Sequence, residues 1–196
     1  TYGIPYTYFA DQKLRDGNLR AKYDVIVFPH VGGNAQSQVN GIPKSGTLPL
    51  PYKKTDLTPN LGAIDQSDDI RGGMGFEGLM ELYKFVQDGG TLITEGSTAT
   101  IFPEYNLTNG ISVENPSQLF ARGTILRGMI SDAKSPLVYG YDGTSLPVYF
   151  SQSPVLSLAG GSAFGGFGGG GNIPGVGQNT TPMSTRLQLS PYGTVI

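Results

Sequence analysis

RGGMGFEGLMELYKFVQDGGTLITEGST, Arg71 to Thr98, is the stretch whose reading decides the fold. Phe76, Leu79, Met80, Tyr83 and Val86 recur at helical spacing, the Gly89-Gly90 pair supplies a helix stop, and Thr91 to Thr94 is a short β-prone run closing on Glu95-Gly96-Ser97. The reading is a helix feeding a buried strand with a tight turn behind it. A strand-to-helix turn is a place where α/β proteins expose reactive side chains, so the turn is the first candidate for chemistry.

Upstream, YDVIVFP (Tyr23 to Pro29) reads as the clearest strand of the chain. Its continuous run Val25-Ile26-Val27-Phe28 predicts a strand buried on both faces, as in a parallel sheet covered by helices. It exits into His30-Val31-Gly32-Gly33, a glycine-rich loop at the C-terminal strand end where open α/β sheets place ligands. Ile4 to Phe9 reads as an edge strand or the extended lead into one. Asp11 to Lys22 is polar, with Leu14 and Leu19 as its large apolar anchors, and predicts a surface connection with a helical turn.

Between the two strand readings, Asn34 to Asp69 has no sustained period, and Pro43, Pro49, Pro51 and Pro59 forbid a long helix or a central strand. A connection of that length usually has a job or a partner. Downstream, Ile101 to Glu104 predicts a helical turn and Asn106 to Pro116 a loop. Gly123 to Ile130 predicts a strand with Gly128 as a bulge. Pro136 to Tyr139 predicts a turn, and Leu146 to Phe150 and Pro154 to Leu158 two short strands. Residues 159–183 are a glycine-rich low-complexity loop with Phe164 and Phe167 as its large side chains, and residues 184–196 read as a returning strand of the same domain. This order predicts an α/β domain with a mainly parallel sheet and a few antiparallel additions.

Composition narrows the function classes. The chain has 196 residues, enough for one domain with its own core, and 30 Gly and 14 Pro that cluster into loops rather than spreading evenly. A formal charge of −2 with 13 Lys and Arg leaves no cationic track for a phosphate backbone, so nucleic acid is not an expected partner. No segment has the apolar length of a membrane span. The absence of Cys removes disulfides, thiolate metal sites and a cysteine nucleophile together. The chain opens at Thr1-Tyr2 in an already patterned segment and closes on Gly193-Thr194-Val195-Ile196 as a strand begins, which leads us to expect an incomplete domain.

Four constellations carry chemical readings. Gly73-Met74-Gly75-Phe76-Glu77-Gly78 matches a dinucleotide-binding glycine pattern, with Glu95 where a ribose-binding carboxylate belongs, but the strand that must precede it is replaced by the polar run DQSDDIR. A helix entry is the plainer reading. Ser97 occupies an elbow-like position, yet the second glycine of G-x-S-x-G is missing and the single histidine, His30, precedes it. Both follow parallel strands and can be neighbours. Asp65, Asp68 and Asp69 lack calcium-loop spacing, and one His without Cys leaves too few ligands for zinc. Asn106-Leu107-Thr108 and Asn179-Thr180-Thr181 are glycosylation sequons.

At YDVIVFP, at RGGMGFEGLMELYKFVQDGGTLITEGS and at LFARGTILRGMISDAKSPLVYGYDGTSLPVYFSQSPVLSL, the chain resembles the class I glutamine-amidotransferase-like domain that follows the peptidase domain in large bacterial zinc carboxypeptidases of the carboxypeptidase A type. The likeness runs from about Tyr2 to Leu158. It implies a flavodoxin-like three-layer sandwich, an export signal and a zinc peptidase domain upstream, and therefore a periplasmic or extracellular location. It also implies that the turn Glu95-Gly96-Ser97 stands where catalytic relatives carry a cysteine served by a downstream histidine, which this chain lacks. No catalytic or metal residue carries over, and any zinc belongs to the parent's peptidase domain. The expectation is a non-catalytic accessory domain partnered by that peptidase domain. The alternatives are a small-molecule module using the strand-end rim of His30, Gly32, Gly33, Glu95, Gly96 and Ser97, or a structural domain that packs into a homo-oligomer.

Overall fold

The computed structural model describes residues 3–158; the expectations for residues 159–183 and 184–196, and the sequon at Asn179, fall outside them. The helix and strand at the centre of the sequence argument are both present, as α3 (Gly75–Gln87) and β2 (Thr91–Thr94). The stop between them works as glycine chemistry requires. Gly89 takes φ +85° and donates to the Val86 carbonyl, while Gly90 donates to the Phe85 carbonyl at a point where a Cβ would run into the Phe85 ring.

Strand β1 (Val25–Phe28) pairs in parallel with β2, from Val25 opposite Thr91 to Phe28 opposite Thr94. The connection between them runs through α2 (Ala35–Asn40) and α3, a right-sized crossover for parallel neighbours. Ahead of β1 lie a 3-10 helix at Asp11–Asp16 and the short α1 (Leu19–Lys22), each pinned by the leucine expected to anchor it, Leu14 and Leu19. The core is built where these pieces meet. Leu79, Leu82 and Phe85 of α3 pack with Met74, Val39 and Ile101, all essentially inaccessible. Each such side chain contributes about 1.5–3 kcal/mol through burial.

Several expectations need correction. Strand β1 is covered on one face only: Ile26 is buried, but Val25 and Val27 are 51% and 56% exposed. A continuous apolar run reports the hydrophobicity of both faces, not whether the described chain supplies a cover for each. On α3 the buried stripe is Gly78, Leu79, Leu82 and Phe85; Phe76, in the first turn, points outward. The parallel pair is a minority. β3 (Ile111–Glu114) pairs antiparallel with β6 (Val155–Leu158), and β4 (Thr124–Met129) antiparallel with β5 (Ser145–Phe150). The described residues thus form a mixed α/β fold of three two-stranded sheets, only one of them parallel.

Two elements arise where loops were expected. Helix α2 opens on Asn34, whose side chain accepts from the Ser37 N–H while the Ser37 hydroxyl accepts from the Asn34 N–H, a reciprocal cap. Strand β3 forms inside the expected loop Asn106 to Pro116 because Ile111 and Val113 alternate with Ser112 and Glu114. Gly128 is not a bulge; β4 and β5 stay in continuous register from Thr124 opposite Phe150 to Met129 opposite Ser145. The segment Gly3 to Phe9 is the extended lead rather than an edge strand, anchored where Phe9 stacks on Tyr23 at 5.2 Å. Ile101–Glu104 forms the expected turn of helix, α4.

Candidate functional site

The parallel pair delivers two exits side by side, Pro29 to Gly33 after β1 and Glu95 to Ser97 after β2. The Glu95 N–H donates to the Phe28 carbonyl at 3.2 Å, continuing the ladder one residue past β2. The Thr98 hydroxyl then donates to the same carbonyl at 2.8 Å, which turns the chain into the 3-10 helix Gly96–Thr100 and on into α4. Thr98 is buried, so this bond fixes where Ser97 sits. The strand, sharp turn and helix expected of an elbow are in place.

Ser97 faces His30. The Ser97 N–H donates to His30 Nδ1 at 3.1 Å, and Ser97 Oγ lies 3.0 Å from the same nitrogen. Because a backbone N–H can only donate, Nδ1 is the acceptor, the ring proton resides on Nε2, and the Ser97 hydroxyl donates to Nδ1 as well. The serine oxygen in turn accepts from the Gly32 N–H at 3.2 Å. Gly96 is required here twice over. Its φ is +55°, and a Cβ would lie 2.7 Å from His30 Nδ1.

A buried residue that sequence reasoning missed supports the β1 side. Gln38 of α2 donates through Nε2 to the Gly32 carbonyl at 2.7 Å and to the Gly33 carbonyl at 3.3 Å. Four of the six rim residues, His30, Gly32, Gly96 and Ser97, thus touch one another directly. Gly33 joins through Gln38, and Glu95 is tethered by its backbone with its side chain exposed. The asparagine three residues before Ser37 was the available signal for α2, and hence for Gln38.

The arrangement bears on chemistry. A serine acting as nucleophile hands its proton to a base whose lone pair is free to receive it. Here the single in-plane lone pair of Nδ1 faces both the Ser97 N–H and O–H, and these contacts latch the two strand exits together.

The other constellations resolve into packing. The glycine pattern Gly73 to Gly78 has no strand before it. Gly73 lies against the backbone of Gly41, where a Cβ would come within 2.7 Å of the Gly41 nitrogen, and Gly78 lies against Met74 and Leu14. The Arg15 guanidinium caps the Gly73 and Met74 carbonyls. The three aspartates fasten the long loop. Asp65 accepts from the Ala10 N–H at 2.8 Å, Asp68 pairs with Lys53 at 2.6 Å, and Asp69 grips Arg71 with both oxygens at 2.8 and 2.9 Å. The Arg71 guanidinium holds the Asp69 carboxyl far below the usual carboxylate range, and Lys53 lowers that of Asp68. Burial pushes the Asp11 carboxyl up. Among the described residues no group of three or more His, Asp or Glu converges in a way that could hold a metal, and no helix is long and apolar enough to cross a membrane.

No family model, curated protein or solved structure matches the chain.

Proposed function

We propose that this chain is a non-catalytic, amidotransferase-like accessory domain of an exported zinc metallocarboxypeptidase, built on a flavodoxin-like three-layer plan and supporting proteolysis by the peptidase domain. The observation that carries the non-catalytic part is the bonding of Ser97. At the position where the resembled domains carry a nucleophile, both donors of this serine are spent on His30 Nδ1 and its oxygen accepts from Gly32. The accessory part is supported by the sequence resemblance and by the uncovered apolar face of β1, which suits a domain that packs into a larger body. On this reading the zinc is held by the peptidase domain.

Two measurements test the proposal. The purified chain is expected to leave activated esters, amides and glutamine intact; hydrolysis abolished by Ser97→Ala would overturn it. The encoded sequence upstream of Thr1 is expected to contain H-x-x-E and a later zinc-binding histidine, and a start codon immediately upstream would sink the parent assignment. A second reading, a small-molecule site at the rim, is favoured by the convergence of His30 and Ser97 at the C-terminal ends of adjacent parallel strands. A metabolite screen by thermal shift tests it, because a ligand that binds only the folded state must raise the melting temperature.

A further inference from the structure

The ribbon of β4 and β5 treats its two outer edges differently. The Ile130 N–H donates to the Thr144 carbonyl at 3.0 Å, and the register continues through Gly128 opposite Leu146. The even-numbered residues of β4 therefore exchange bonds with β5, whereas Ile125, Arg127 and Met129 turn their N–H and C=O groups away from it. On β5 the outward-facing residues are Ser145, Pro147 and Tyr149. Pro147 has no N–H, and the Ser145 carbonyl already accepts from the Tyr141 hydroxyl at 2.6 Å. These are the devices by which proteins close a sheet edge.

The β4 edge carries neither. Among the described residues no strand pairs with it, and no hydrogen bond reaches the outward N–H or C=O of Ile125, Arg127 or Met129. The same three side chains share one face. Ile125 is 68% and Met129 69% exposed, and between them Arg127 is exposed and outside every ion pair of the described residues. An open edge of this length, bearing an apolar, cationic, apolar triplet, is a template for strand addition, in which main-chain bonds supply affinity and alternate side chains supply selectivity.

We infer that the β4 edge binds an extended peptide supplied in trans, with an acidic residue opposite Arg127 and apolar residues two positions to either side. The charge on Arg127 calls for an acidic residue in the partner, and it disfavours a second copy of the chain paired antiparallel about Arg127, which would set two guanidinium groups directly opposite each other. The inference stands apart from the accessory-domain reading, since it uses no residue of the strand-end rim.

Fluorescence anisotropy of the full chain with labelled, blocked heptapeptides tests it. The first probe has valine at its second and sixth positions, glutamate at the fourth and threonine elsewhere. The second replaces the glutamate by lysine, and the third keeps glutamate but carries N-methyl groups on alternate backbone amides. The glutamate peptide is expected to bind roughly tenfold more tightly than the lysine peptide, with Arg127→Gln erasing the preference and Arg127→Glu inverting it. N-methylation on the amides that face β4 is expected to abolish binding. Amide exchange across β4 and β5 checks that the variants keep the ribbon. A charge preference that survives Arg127→Glu, no binding of the glutamate peptide, or indifference to N-methylation on the amides that face β4 would each overturn the inference. So would a mass that doubles with concentration and is lost on Met129→Lys, or cross-linking from Met129→p-benzoylphenylalanine to residues 159–196 of the same chain, because either result places a different occupant on the edge.

Discussion

Replacing Gly96 by alanine separates two costs that the latch combines. The first is conformational. At φ +55° an L-residue costs roughly 1–2 kcal/mol, of which the stiffer unfolded chain returns about 0.4–1 kcal/mol. The second is steric. The new Cβ would lie 2.7 Å from His30 Nδ1 and 3.3 Å from its Cβ, so the ring must swing away from Ser97. That motion breaks the bonds to the Ser97 N–H and hydroxyl, each contributing about 0.5–1.5 kcal/mol. Gly96→Ala is therefore expected to cost about 2–3 kcal/mol in urea unfolding of the full chain. For a domain of this size that is a fall in melting temperature of about 2–4 °C for each kcal/mol. In a His30→Ala background the steric part disappears and the same substitution is expected to cost about 1 kcal/mol. The resulting coupling of about 1–2 kcal/mol is the signature of contact between the two exits. A cost below about 0.5 kcal/mol, or equal costs in the two backgrounds, would refute the reasoning that His30 and Ser97 hold the rim together.

Two further outcomes follow from packing and charge. Gly78→Ala places a methyl group 2.9 Å from Met74 Cβ and 3.2 Å from Leu14 Cβ, so it is expected to destabilise the chain by about 1–3 kcal/mol although alanine is the better helix former; thermal unfolding reads the sign. The depressed carboxyls of Asp69 and Asp68 are ionised in the fold at pH values where they would be protonated in the unfolded chain. Their contribution is present above the ordinary carboxylate range, near pH 4, and is lost as pH falls below it, so urea midpoints should decline with acidification and Arg71→Ala should flatten that decline. Asp11, whose carboxyl is raised, works in the opposite sense and favours the fold at low pH.

What was legible in the chain was local. α3 and β2 follow from a helical apolar period, a double glycine and a β-branched run, all within one short window, and their boundaries need no distant partner. The same is true of Leu14 and Leu19 as anchors. The proximity of His30 and Ser97 was accessible only through the rule that adjacent parallel strands present their C-terminal ends together. Gln38 was hidden because α2 is short and polar and advertises itself by a cap rather than by a period. β3 was hidden because four residues of alternation after Gly110 look like any loop until β6 returns from far along the chain to pair with them. The two-faced burial expected of β1 failed for a different reason. Hydrophobicity records what a strand can bury, and the cover for Val25 and Val27 is a matter of tertiary arrangement.

Among the described residues the inaccessible apolar side chains run from Leu14 to Ile101, and none lies in β3, β4, β5 or β6. Stability is then unequally distributed along the polypeptide. The segment Ile111 to Leu158 can open while the α3 core stays closed, so its amides should exchange before those of α3 and a protease should clip it before the core melts. A domain organised in this way has a stable anchor and an adaptable extension, and changes in the extension can be absorbed without endangering the anchor.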